Sequence, residues 1–215
     1  MPAPKVSPDL IRIVKAQNWE SNPIDQARRQ QLQNLASLME SVNKMKRNIH
    51  LLFVCTHNAR RSQAAELLSR SAASYYGLRD IETYSAGTTP TAFHLNMVDA
   101  LARTGMSVDI LNWSKNPIYH LGIEEGLEAR DMFSKDINHQ SLDVHPKIAT
   151  MVCSKADEAC PSVPGAFDRI SLPYRDPKSG DEQSNVGSVY DKTVNTIARE
   201  MYYLMRQYMK NTGKR

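Results

Sequence analysis

From residue 49 onward, short apolar runs alternate with stretches of helical periodicity. Residues 49–54, 81–85, 148–153 and 169–172 read as strands. Residues 62–76, 92–104 and 186–209 read as helices, with Gly77 and Gly105 closing the first two. This alternation predicts an α/β domain: a parallel sheet with helices on both faces. Residues 1–48 form a separate zone. A short helix is expected from Pro8 to Gln17, starting near Ser7 or Asp9, and a long one from Ile24 to about Lys46, after Ser21-Asn22-Pro23. Leu35, Leu38, Val42 and Met45 share one face of the long helix. Such a stripe suits either packing on the chain's own domain or a seam between two copies in a homodimer. Residues 112–146 fit the alternation poorly. The apolar stretches 118–123 and 127–133, around Glu124-Glu125-Gly126, predict a hairpin that either walls the site or decorates the sheet edge. The expected organisation is a helical extension over 1–48 and an α/β domain over 49–215, with an insertion at about 112–146.

Composition narrows the function classes. The 215 residues are 41% apolar and 23% charged, which is ordinary for one sizeable core with an appendage. A net charge of +4 without a dense Lys/Arg stripe suits an anionic substrate and gives no reason to expect nucleic acid. No apolar run approaches the roughly 20 residues of a membrane span, and the first residues lack the apolar core of an export signal. A cytoplasmic location is therefore expected, where three cysteines serve chemistry rather than a structural disulfide framework. The histidines are scattered and no close Cys pair occurs, so neither a metal nor another cofactor is expected.

Chemistry concentrates where the first strand ends. Cys55-Thr56-His57-Asn58-Ala59-Arg60-Arg61-Ser62 joins that strand to a helix. Unpaired N–H groups and the aligned peptide dipoles at a helix start favour an anion, and Arg61 adds a planar fork suited to a tetrahedral oxyanion. Such surroundings favour thiolate over thiol, so the loop reads as a nucleophile inside an anion cradle. In open α/β sheets, ligands bind outside the carboxyl ends of the strands. Cys55 ends the first strand, Cys153 ends the third and Asp176 follows the fourth, so all three are expected at one crevice.

This loop resembles the signature of the low-molecular-weight tyrosine phosphatase superfamily, which includes thioredoxin-coupled arsenate reductases. The resemblance resumes at Tyr84-Ser85-Ala86-Gly87 and at Cys153 to Cys160, and spans about 49–209 apart from the insertion. It implies a four-stranded sheet in the order 2-1-3-4. It also implies roles: Cys55 as nucleophile; Thr56, His57, Asn58, Ala59, Arg60, Arg61 and Ser62 around the oxyanion; Asp176 as general acid; Cys153 and Cys160 as a resolving pair. The resemblance further implies arsenate reduction, with thioredoxin as the reductant. The alternative is a phosphatase acting on phosphotyrosine or small phosphoesters through Cys55, Arg61 and Asp176. The chain departs from the pattern in several places. His57 stands where glycine is frequent, and Arg60 replaces a second loop cysteine. Lys178-Ser179-Gly180 follows Asp176-Pro177 without aryl-stacking tyrosines, and Thr56 is small and polar. The last two favour a small inorganic oxyanion. A helix between Cys153 and Cys160 would hold the thiols roughly 10 Å apart. A disulfide needs Cα atoms within about 7 Å, so the segment is expected to unwind on oxidation, with Pro161 and Pro164 limiting its helix.

Overall fold

The computed structural model describes residues 5–6, 8–16, 24–125, 127–160 and 162–214. In chain order these form β1 (Lys5–Val6), α1 (Pro8–Ala16), α2 (Gln26–Lys44), β2 (Ile49–Cys55), α3 (Arg61–Tyr75) and β3 (Ile81–Gly87). Next come α4 (Leu95–Ala102), β4 (Ser107–Asn112), β5 (Ile118–Gly122), β6 (Glu124–Glu125) and β7 (Arg130–Met132). β8 (Lys147–Met151), α5 (Ser154–Ala159), β9 (Ala166–Ser171) and α6 (Val186–Thr212) complete the chain. Gln17, Ser7, Ser21-Asn22-Pro23, Gly126 and Pro161, which the sequence reading used, lie outside the described residues.

The main sheet runs β3-β2-β8-β9, all parallel. Counted within that sheet, this is the expected order 2-1-3-4. β2 and β8 are the inner strands: six of the seven residues of β2 and all five of β8 are buried, leaving no polar face to turn to solvent. The register of β2 sets Cys55 opposite Gly87 and Val54 opposite Met151, so three strands end at one level. Helices cover both faces. α3 and α6 pack along each other, with Ser71 and Tyr75 of α3 meeting Tyr202 of α6.

α2 begins where the Asp25 side chain accepts from the Arg28 amide at 2.9 Å, capping an otherwise unpaired donor. Its buried face is Leu32, Leu35, Ala36, Met39 and Val42, all within the same apolar core as the sheet and packed on α6. Of the stripe read from the sequence, Leu35 and Val42 pack on the chain's own domain, Leu38 is partly buried, and Met45, at the helix end, is exposed.

The irregular segment is a second, antiparallel sheet in the order β4-β5-β7, so the strand pair expected around residues 118–133 is present. A further strand, β4, starts before residue 112 and precedes that pair. β6 pairs with β1 at the N-terminus. Among the described residues, no helix is long and apolar enough to cross a membrane.

Candidate active site

The loop from Cys55 to Arg60 is shaped by where its carbonyls go. Cys55 O accepts from Thr88 N at 3.2 Å, Thr56 O from Thr89 N at 2.8 Å, and His57 O from Thr91 N at 3.2 Å. Asn58 O accepts from the Gln63 side chain, and Ala59 O from His94 N at 2.9 Å. Across a trans peptide the next N–H points opposite to the carbonyl. Carbonyls bound outward to the scaffold therefore turn the following amides inward, around the sulfur. One of them, Asn58 N, donates to Cys55 Sγ at 3.2 Å.

Asn58 makes the turn possible. Its φ of 45° lies in the left-handed region that Asn tolerates better than most residues. Its side chain, fully buried, donates from Nδ2 to Ser62 Oγ at 2.8 Å and accepts at Oδ1 from Lys135 N at 2.7 Å. Ser62 Oγ lies 3.0 Å from Cys55 Sγ, and with Asn58 Nδ2 donating to it, its own proton is free to point at the sulfur. Gly87 lets β3 approach the loop. A Cβ there would stand 2.7–2.9 Å from backbone atoms of Thr56, His57 and Asn58, closer than real side chains tolerate.

Arg61 Nη1 donates to Tyr174 O at 3.0 Å, and Nη2 pairs with Asp176 Oδ2 at 2.5 Å. Its buried Nε has no partner among the described residues, which leaves a guanidinium donor for an incoming oxyanion. Asp176 also accepts from Lys178 N at 3.1 Å, closing the turn of the Pro177–Gly180 helix that carries it. Cys153 caps α5, buried, with Sγ 3.4 Å from Thr56 Oγ1. Burial pushes its thiol pKa up, but the Thr56 hydroxyl, the Ala156 amide and the Arg61 charge more than offset this, so it lies below the ordinary value. Cys160 ends α5, partly exposed, with its thiol 3.1 Å from Ser162 O.

The structure thus brings Cys55, Thr56, Asn58, Arg61, Ser62, Cys153 and Asp176 to the carboxyl ends of the strands. Two side chains differ from expectation. Arg60 does not add its charge to the cradle: Nε donates to Tyr190 OH at 2.6 Å and Nη2 pairs with Asp181 Oδ2 at 2.7 Å. His57 is exposed, and its ring is held by Thr89 O at 3.0 Å. Tyr190 in turn donates to Asp181 at 2.5 Å and stacks on His94 at 5.9 Å. Burial and the hydrogen bond to Asp181 push the Tyr190 pKa up to about 12. Burial raises Asp181, but Tyr190 and Arg60 bring it below the usual carboxylate value. Burial and Arg60 hold His94 below its own. This cluster fastens the end of the loop to the segment that carries Asp176.

Sequence reading missed these supports, and it missed the part played by the second sheet. Ser134 Oγ donates to His57 O at 2.8 Å, and Ser134 is clamped by Asn116 through two hydrogen bonds of 2.9 and 3.0 Å. The residues after β7 therefore brace the loop rather than merely decorating an edge. Behind Asp176 lies a cavity of about 380 Å³ against α6, lined by Arg175, Gln183 and Lys192 among others, but by no residue of the loop. Among the described residues, no group of three His, Cys, Asp or Glu side chains gathers as metal ligands would.

Residues 50–116 match the family model described as low molecular weight phosphotyrosine protein phosphatase, over the stretch that includes the whole cradle. Over that stretch the chain is similar to the low-molecular-weight phosphotyrosine phosphatases. An arsenate reductase of Bacillus cereus strain 03BB102 is 28% identical over 149 residues, 69% of this chain and 91% of that protein. Arsenate reductase 2 of Bacillus cereus strain ATCC 10987 is 27% identical over the same shares. Among solved structures, a low-molecular-weight protein tyrosine phosphatase from Bacillus subtilis aligns with a TM-score of 0.52 and 19% identity, over 77% of this chain and 99% of that one. That likeness shows the phosphatase fold. It does not choose between activities.

Proposed function

We propose that this protein reduces arsenate to arsenite through a three-thiol relay. The observation that carries the reading is the second thiol at the cradle's rim: Cys153 Sγ, buried and 3.4 Å from Thr56 Oγ1, one residue from the nucleophile. A phosphatase needs only one thiol, since water can hydrolyse its phospho-enzyme. The similarity to curated arsenate reductases supports the same reading.

In the proposed sequence the inward amides and Arg61 bind arsenate. Cys55 thiolate attacks arsenic, and an oxygen leaves as water with a proton from Asp176. Cys153 thiolate then attacks Cys55 sulfur. The S–S bond forms as the S–As bond breaks, and the electron pair stays on arsenic, which departs as arsenite. Cys160 attacks Cys153 in turn, returning Cys55 as thiolate and leaving a Cys153–Cys160 disulfide for a dithiol reductant of the thioredoxin kind. The six-residue α5 separates these two thiols, so the last step requires its unwinding.

The test compares wild type with Cys55→Ser, Cys153→Ser and Cys160→Ser, using arsenate with a thioredoxin system and, separately, an aryl phosphate. Arsenate reduction that needs all three thiols is expected. Aryl phosphate turnover that needs only Cys55, with no arsenate reduction, would make the protein a phosphatase. Oxyanion binding without turnover would make it a sensor.

A further inference from the structure

We propose that Arg28, on the N-terminal helix α2, is a positioning residue for Asp176, so that the extension forms part of the active site's machinery. The inference rests on the reading of Asp176 as the general acid.

Asp176 hangs from the segment Leu172-Pro173-Tyr174-Arg175, just past the end of β9. That segment is held on one side by the sheet, with Leu172 N donating to Met151 O at 2.8 Å and Tyr174 N to Val152 O at 3.1 Å. Its outward carbonyls need other partners. Tyr174 O takes Arg61. The two before it take Arg28, whose Nη2 donates to Pro173 O at 3.1 Å and to Leu172 O at 3.4 Å. The same guanidinium lies 4.5 Å from the centre of the Tyr174 ring. It is itself aimed by Glu200 of α6, at 2.8 Å from Nε, and by Gln31 Oε1, at 3.0 Å from Nη1. Glu200 and the guanidinium are almost wholly buried, with side-chain exposures of 4% and 11%.

This geometry asks for arginine specifically. Only a planar fork of donors can pair with a carboxylate, bridge two carbonyls and stack on a ring at once. Lysine would keep the charge opposite Glu200 but lose the bridge. Asp176 follows Pro173 by three residues, and its carboxyl group, in the protonated form, must sit over the cradle to hand a proton to a leaving oxygen. General acid catalysis depends on sub-ångström placement. Loosening the anchored end should therefore reach the proton transfer before it reaches anion binding, which uses the loop and Arg61.

The experiment is a double-mutant cycle on the full chain with Arg28→Lys and Asp176→Asn, with Leu32→Ala as control. Leu32 is buried on the same helix, and its side chain has no donor to offer the segment's carbonyls. Turnover is followed with arsenate plus a thioredoxin system and with phenyl phosphate, whose leaving group needs a proton. The affinity for inorganic phosphate is read from protection of Cys55 against iodoacetate. Arg28→Lys is expected to slow turnover roughly tenfold, with phosphate affinity changed less than about twofold, and to add less than about twofold on top of Asp176→Asn. Leu32→Ala should lower the melting temperature and combine with Asp176→Asn by simple multiplication. Effects of Arg28→Lys and Asp176→Asn that multiply would overturn the assignment, as would a loss that Leu32→Ala reproduces in full. Unchanged turnover in Asp176→Asn alone, or a wild type that turns over neither substrate, would instead overturn the reading beneath it, and the assignment with it.

Discussion

Cys153 titrates in surroundings that pull in two directions. Burial opposes its charge, while the Thr56 hydroxyl, the Ala156 amide and Arg61 favour it, and the net effect holds its pKa below the ordinary thiol value. A hydrogen bond to a charged group is worth about 1.5–3 kcal/mol, so Thr56 is a large part of that balance. With Cys55 and Cys160 both replaced by serine, Cys153 is the only thiol left in the chain. In that background Thr56→Val should move the thiolate absorbance inflection upward and slow alkylation at neutral pH roughly tenfold. An unmoved inflection would show that Thr56 is a bystander. The sign for stability follows. A group whose folded pKa is lowered contributes stability above its unfolded pKa and loses it as pH falls through the folded one, so this contribution fades toward acid. At this scale the sequence was informative where residues are contiguous. Cys55, Asn58, Arg61 and Ser62 lie in one loop, and strand ends pointed to Cys153 and Asp176. The supports were illegible. Lys135 meets Asn58 across 77 positions and Arg28 meets Pro173 across 145, and no spacing rule links residues that far apart.

α5 is a short helix with an unusually firm hold on its neighbour. Asp157 pairs with Arg169 and accepts from Ser171 Oγ at 2.5 Å, both on β9. Arg169 also donates to Asp157 O at 2.5 Å. In the proposed relay, this clasp must open before Cys160 can reach Cys153. Asp157→Ala should therefore speed formation of the Cys153–Cys160 disulfide, by about three- to tenfold if the partly exposed clasp is worth about 1 kcal/mol. Trapping the mixed disulfides after a single arsenate turnover and following them by mass spectrometry would measure it. A rate equal to wild type would mean that the clasp never opens in the rate-limiting step. The sequence reading took a helix between the two cysteines only as a condition on their separation, and the structure supplies that helix. The sequence could not show the clasp, which joins residues on separate elements.

For the molecule as a whole, the N-terminal extension is a layer of the fold rather than an attachment. Leu32, Leu35, Met39 and Val42 are fully buried beside α6. Leu35→Ala should destabilise the whole protein by about 2–5 kcal/mol, seen as one lowered melting transition. Two transitions, with the upper one unchanged, would show instead that α2 folds and unfolds by itself. The periodicity on α2 announced a buried face, but not which surface would cover it, because amphipathic helices pair equally well within a chain and between chains. The parallel sheet was legible for a different reason. Strands buried on both faces read as unbroken apolar runs, and few arrangements of such strands with intervening helices exist.

The contact at Gly87 bears on how such a protein can change. There β3 meets the loop backbone to backbone, with no side chain between them. The loop's outward carbonyls are mostly held by main-chain amides in the same way. The shape of the anion seat is thus largely independent of side-chain identity, apart from Asn58, Gln63 and Ser62. Drift at Thr56, whose carbonyl is held by the Thr89 amide whatever side chain it carries, can alter what the seat accepts without remodelling it. One rigid frame can in this way serve different oxyanion chemistries, while most of the sequence around it is free to diverge.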